Sequence, residues 1–437
     1  MISHSLIPGA VVALVLTACP AALYAQAQQV PPFVEYRVNR DDTLYVLAQR
    51  YFADPRAYGV VQRLNRVANP RRMPIGLVLK IPRSLLRQEP IPAVVQSFKG
   101  DVRVGTRGAA VGMVVHEGDL VETGERSFVS LRLPDNTAVS LPSKTRIRVQ
   151  RLRRTLLSES VERQFAVQYG RVTGEVTPMT DPASSFQFTT PRAITSVRGT
   201  RFRVGYEPGD ANSGVEVVEG KVAFREGDDK EQLVQAGFGS NDRLPTPVPL
   251  LAPPDLVDPD KVQDEEGLAF RLRAMAGAAG YHLQIARDAG FIDMVDEAYA
   301  SGPVGEFSTL PNGTYFVRLT GIDANVLEGK PSVYSFERRL NRLRTSLEQS
   351  RVGRYRQFLF RWQTPDVKAA QYRFQLSRAQ DGSNPVVDQT GLADNSFIIT
   401  DLPGGTYYWR VMSIEASGGR IYTKWSAINE LRVGEAK

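Results

Sequence analysis

Nucleophilic and metal chemistry have little to draw on in this sequence, because 437 residues hold one cysteine and three histidines. Cys19 is the only thiol, and His116 and His282 stand 166 positions apart in segments assigned below to different domains. A Cys–His pair, a histidine-rich zinc site or a Ser–His–Asp triad therefore lacks its raw material. The 47 Asp and Glu leave paired carboxylates open. The expectation is a protein that is not an enzyme and carries no metal or cofactor. With one cysteine no internal disulfide forms, so each domain must stand on its hydrophobic core.

The elements that present the remaining polar residues begin with an export signal. The first 29 residues contain no Lys, Arg, Asp or Glu, residues 10–16 are apolar, and Ala25-Gln26-Ala27 is an A-x-A cleavage pattern. That layout predicts a signal peptide over 1–27, not a spanning helix. A competing reading comes from Leu16-Thr17-Ala18-Cys19, which resembles the lipobox of bacterial lipoproteins, although Pro20 is unusual there. In that reading Cys19 is acylated, and only then is a membrane a partner. Either way the expected location is the periplasm or the outer cell envelope.

Length predicts about three or four domains, and the net charge of +7 is unevenly placed. Between residues 33 and 87 there are eleven Arg or Lys against four Asp or Glu, an excess equal to that of the whole chain. It reads either as steering toward anionic wall polymers or as a solvated arginine-rich face. Nucleic acid is not an expected partner of an exported chain.

Residues 33–83 show strand, helix, helix, strand. Tyr36-Arg37-Val38 alternates. Asp42 is placed to cap a helix carrying Leu44, Leu47, Ala48 and Tyr51, and Asp54-Pro55 opens a second helix with Val60, Val61 and Leu64. The run at 77–82 is the closing strand. The segments YRVNRDDTLYVLAQRYF, RLN at 63–65 and IGLVLKIP at 75–82 together resemble a LysM domain, with Asp41 where that family usually has Gly. The resemblance implies binding of N-acetylglucosamine-containing glycan such as peptidoglycan between two loops, here Asp41, Asp42, Thr43, Leu44 and Met73, Pro74, Ile75, Gly76. Each has a structural reading too: Asp42 as a cap, Gly76 as a turn, Leu44 as core.

From residue 94 to 243 helical periodicity gives way to short period-two strands, as at Val129, Leu131, Leu133 and at Phe186, Phe188. His116-Glu117-Gly118-Asp119, TGERSFVSLRLPDNTAVSLPSKTRI, Val167-Gln168-Tyr169-Gly170, TTPRAITSVRGTRFRV and VEVVEGKVAF resemble a FecR-type domain. That resemblance implies an all-β fold and, in periplasmic regulators, relay of outer-membrane signals to a sigma factor. The sequence shows neither a cytoplasmic anti-sigma segment nor an internal transmembrane helix, which favours a scaffold. Arg198, Gly199 and Thr200 read as a partner-contacting loop or, preferably, as a turn in which Gly supplies positive φ. The arginines at 146, 148, 151, 153 and 154 read as one exposed strand face running into a loop.

Residues 244–260 contain six prolines and predict a semi-rigid linker. Beyond it LPNGTYFVRL at 310–319 repeats as LPGGTYYWRV at 402–411. Both copies, 261–341 and 359–437, resemble fibronectin type III sandwiches, joined by an arginine-rich connector at 342–358. Tyr407, Trp409 and Val411, like Tyr315, Val317 and Leu319, are expected in the cores. The predicted fold class is multidomain and mainly β: a small α+β module (βααβ), an all-β domain and two β-sandwich repeats.

These readings combine into a non-catalytic envelope scaffold that anchors to peptidoglycan and presents β-domains to a protein partner. The alternatives are a FecR-like periplasmic signalling component and, less favoured, an accessory of wall hydrolysis.

Overall fold

The computed structural model describes residues 32–209, 212–227, 231–257, 262–340, 342–366, 371–417 and 419–434. The signal segment and Cys19 lie outside the described residues. Two compact units result: Met1–Leu250 with Asn325–Lys330, and Leu251–Ala324 with Pro331–Lys437. The protein is multidomain and mainly β.

The first unit opens with strands Phe33–Arg37 and Val78–Pro82, antiparallel with Val34 opposite Ile81. Between them run the helix Leu44–Tyr51, a 3-10 turn Pro55–Ala57 and the helix Tyr58–Leu64. Thr43 caps the first helix, accepting from the Val46 amide at 3.0 Å. Asp42, expected in that role, instead accepts from the Asn39 amide at 2.7 Å and the Tyr36 hydroxyl at 2.8 Å. The helix starts one residue later than expected, so the carboxylate closes the preceding loop. Val61 is buried while Val60 and Leu64 stay exposed, since a two-turn helix turns only one side to the core.

A closed barrel follows, and one strand organises it. Val161–Glu175 pairs at its start with Thr145–Thr155 and Ser185–Thr189, and at its end with Ala138–Leu141 and Arg201–Glu207. It changes neighbours at Gly170, φ +85°. A Cβ there would stand 2.5 Å from the carbonyl oxygen of Lys144 and 2.5 Å from Thr145 Oγ1. Phe165, Phe186, Phe188 and Phe202 pack within the core with centroids 5.4–5.7 Å apart. Asn136 turns the chain at φ +65°. The arginine run does not leave the sheet, because Thr145–Thr155 continues through a bulge after Val149.

Two expectations about connectors need correction. In the proline-rich segment Val248–Pro249 pairs with Phe238 and Gly239, and Leu250 is buried, so this part of it is packed sheet edge. Proline is compatible with an edge, where one side of the ladder needs no donor. The arginine-rich stretch 342–358 is largely the hairpin Arg344–Val352 with Tyr355–Gln363. Just ahead of it Arg338 is wholly buried and donates to the carbonyls of Gln263 at 3.3 Å and Glu266 at 2.7 Å.

The second unit holds two sandwiches with separate cores. In the first, a five-stranded sheet contains Gly313–Asp323 between Ala278–Ala286 and Ser332–Arg338. In the second, Gly405–Ser417 lies beside Gln371–Ser377 and Arg420–Trp425. Tyr315, Val317 and Leu319 are buried in one copy and Tyr407, Trp409 and Val411 in the other. Both tyrosine hydroxyls reach back four residues, to Pro311 at 3.1 Å and Pro403 at 3.0 Å.

The barrel's dependence on residue 170 is directly measurable. Gly170→Ala imposes left-handed strain and a clash against backbone, a loss of about 2–5 kcal/mol. Gly76→Ala, at φ +83° with open space around it, carries the strain alone, about 1 kcal/mol. Denaturant unfolding of the two variants should separate them in that order.

Candidate functional site

Backbone bonds hold the two loops of the N-terminal module together. The Leu44 amide donates to the Pro70 carbonyl at 2.9 Å and the Gly76 amide to the Val38 carbonyl at 2.8 Å. Leu44 and Met73 are buried in the module's core, which withdraws both from contact with a ligand. Thr43 and Asp42 are engaged in the cap and the loop closure. Asp41, at φ +70°, Pro74 and Ile75 face solvent, Ile75 with 69% of its surface exposed. Burial, and then Asp42, pushes the Tyr36 phenol above its ordinary range. Tyr45 and Val46, absent from the expected set, are exposed beside this loop. Their exposure follows from the helix phase that buries Leu44 and Leu47.

Residues 198–200 form a packed turn. Gly199 has φ +90°, and a Cβ there would come within 2.5 Å of Pro178 Cα. Thr200 is buried, its carbonyl accepts from the Val176 amide at 3.0 Å, and Arg198 donates to the Asp181 carbonyl at 2.8 Å. The contact-loop reading thus loses Thr200.

The arginine run is matched by carboxylates. Arg146 meets Glu122 at 2.8 Å, Arg151 meets Glu162 at 3.3 Å and Arg153 donates to Glu117 at 2.6 Å. The Arg153 bond holds Glu117 below the usual carboxylate range. By contrast Arg37, Arg40, Arg56, Arg66, Arg71 and Arg72 have no carboxylate within 4.0 Å among the described residues. The module's positive excess is therefore open to solvent.

One constellation was not visible in the sequence. Arg171 and Arg203, on paired strands, meet Glu216 and Glu328 inside the first unit. Arg203 lies 3.6 Å from Glu216 and 3.1 Å from Glu328, and Arg171 also pairs with Glu328. Glu216 and Glu328 are each 2% exposed. Burial pushes the Glu216 carboxyl above its ordinary range, opposed by the two guanidinium groups. His116 is exposed in the first unit, whereas His282 is buried in the second at 3.1 Å from Glu297.

The strands that carry three of these four charges decide the comparison with known proteins. Residues 119–223 match the family model described as FecR protein. The match lies within the barrel and includes Gly170, Arg171, Arg203 and Glu216. No curated protein matches the chain. Among solved structures, a candidate anti-sigma factor from Parabacteroides distasonis ATCC 8503 is 22% identical, with TM-score 0.24, over 28% of this chain and 53% of that one. The chain thus spans about half the length of that protein. A two-domain fibronectin type III segment of chicken tenascin is 16% identical, with TM-score 0.22, over 41% of this chain and 97% of its own. The fibronectin(III)-like modules of Clostridium thermocellum CbhA are 9% identical, with TM-score 0.21, over 42% and 93%.

Removing one member of the barrel's buried charge cluster should cost far more than removing a rim charge. Arg203→Met leaves two buried carboxylates with Arg171 alone and is expected to lose about 3–5 kcal/mol. Arg153→Gln should lose less than about 1 kcal/mol. Denaturant midpoints of the first unit's transition give both values.

Proposed function

We propose that this chain is a non-catalytic component of the bacterial cell envelope, of the FecR-like signalling kind, whose barrel receives a protein partner. The observation that carries this reading is the FecR match over 119–223, which covers the barrel's long strand and three of the four clustered charges. The chain's chemistry agrees with it: Arg146, Arg151, Arg153, Arg171 and Arg203 on the barrel are each paired with a carboxylate. No cofactor, metal or nucleic acid enters the proposal. Export through the signal at 1–27 supplies the location, and acylation of Cys19 would add a membrane anchor.

A second activity belongs to the N-terminal module, which resembles LysM. We infer that it holds peptidoglycan through Asp41, Pro74 and Ile75, with Tyr45 added and with Leu44 and Met73 confined to the core. Support comes from the loop pair itself, fixed by backbone bonds yet exposing apolar and acidic groups. Such a surface offers an apolar contact for an acetamido methyl next to hydrogen-bonding groups. The unpaired arginines would raise the local concentration of an anionic wall polymer, an effect that salt weakens.

The two activities are tested separately. A strain lacking the chain should show a discrete set of altered transcripts, restored by the wild-type chain and not by Gly170→Ala; an unaltered profile refutes signalling. For the glycan, the full chain should sediment with purified peptidoglycan, and Ile75→Asp should weaken retention roughly tenfold, the equivalent of about 1.4 kcal/mol. Equal retention of the two chains would move the glycan site elsewhere.

A further inference from the structure

Six residues, Asn325–Lys330, fold with the first unit although the rest of that unit ends at Leu250. Their centre is read by the barrel group by group. Leu327 is buried against two positions that have no side chain. A Cβ at Gly239 would stand 3.0 Å from Leu327 Cδ1 and 2.9 Å from Leu250 Cδ2, and one at Gly214 would stand 3.7 Å from Leu327 Cδ2. At Gly239 the missing side chain makes room for the leucine, while at Gly214 a Cβ would be in ordinary contact with it.

Glu328 comes next. Its carboxylate pairs with Arg171 and, at 3.1 Å, with Arg203. Its amide donates to Glu216 Oε1 at 3.1 Å. Arg203 also donates to the carbonyls of Glu328 at 2.9 Å and Gly329 at 2.7 Å, and Asn241 donates to the carbonyl of Asn325 at 3.0 Å. One leucine, one carboxylate, one amide and three carbonyls are thus recognised within five residues.

Stability alone would not select this arrangement. Two guanidinium groups and two carboxylates are taken out of water, and apolar side chains of similar volume would generally do as well or better. The segment is also held under strain. Val326, a β-branched residue, sits at φ +65° and leaves half its surface exposed, so nothing in its own packing favours that conformation. The surrounding contacts impose it.

We propose that the FecR-matching barrel carries a peptide-binding pocket for an apolar residue followed by glutamate and glycine, filled in cis by Leu327-Glu328-Gly329 and exchangeable for a partner segment of the same chemistry. Arg203 is the reading residue, Arg171 seconds it on the carboxylate, and Gly214 and Gly239 form the apolar floor. The proposal deepens the signalling reading, since it names the kind of partner segment the barrel would receive.

The probe is a synthetic peptide with the sequence of residues 323–332, Asp-Ala-Asn-Val-Leu-Glu-Gly-Lys-Pro-Ser, carrying photo-leucine at its single leucine. Full-length chain with Leu327→Ala and Glu328→Ala should bind it at least tenfold more tightly than the wild type does. Photolysis should label strands Asn212–Glu219 and Phe238–Asn241, and a peptide with Ala in place of Glu should not compete. Wild-type chain at excess peptide should be labelled on the same strands at a lower yield, and this arm stands if the double variant fails to fold. No labelling of those strands in the wild type at saturating peptide overturns the proposal, as does equal competition by the altered peptide. Uptake of the peptide in a strain without altered transcripts would refute signalling and leave the pocket; altered transcripts without uptake would do the reverse.

Discussion

A strand that leaves one set of neighbours for another has to bend without losing its ladder, and the bend must pass close to the strand it is leaving. In this protein the task falls on Val161–Glu175, and residue 170 is where the pairing with Thr145–Thr155 gives way to pairing with Arg201–Glu207. Thr145 Oγ1 accepts from the Arg171 amide at 3.2 Å, so the backbones meet at the corner with room for no side chain. Arg171, the next residue, is aimed by it toward Glu216 and Glu328, and Val172 is turned into the core. Barrel closure and charge placement are two outcomes of one local constraint.

What sequence periodicity could reveal was whatever depended on neighbours along the chain. Val129, Leu131 and Leu133, the Phe186–Phe188 pair and the repeated Gly-Thr-Tyr strand entries share a face because strand side chains alternate, and all their large apolar groups are buried. The helices of the N-terminal module were legible for the same reason. Thr43 and Asp42 were not separable, because both are good capping residues and the choice is made by Tyr36 and Asn39, which take the carboxylate. Leu44 and Met73 were placed in a ligand groove by resemblance, whereas the size of a fifty-residue module decides otherwise. So small a core needs every large apolar side chain it can bury.

The charged residues show where local reading stops. Arginine-rich stretches at 146–154 and 338–361 look alike in sequence, yet one is a strand face met by carboxylates and the other joins the buried Arg338 to a hairpin whose first strand is largely exposed and whose second carries the core residues Phe358 and Phe360. The difference lies in partners tens of residues away, such as Glu266 and Gln263 for Arg338. The cluster of Arg171, Arg203, Glu216 and Glu328 is the extreme case. Glu328 is 125 positions from Arg203 and 112 from Glu216, so no window of the sequence contains it.

That distance bears on why the residue at 328 is a glutamate. With residues 328 and 329 against it Arg203 is 7% exposed, and within the described residues Glu216 is the carboxylate that the barrel's own strands offer it, at 3.6 Å. A single distant carboxylate compensates a buried guanidinium poorly, because the desolvation cost is met only at hydrogen-bonding distance and good geometry. An apolar residue at 328 would fill the volume and leave that deficit in place. A glutamate removes it, and its backbone carbonyl, with that of Gly329, takes a further nitrogen of the same guanidinium. Glu328 is thus matched to the barrel by charge, and Leu327 by its close approach to Gly239.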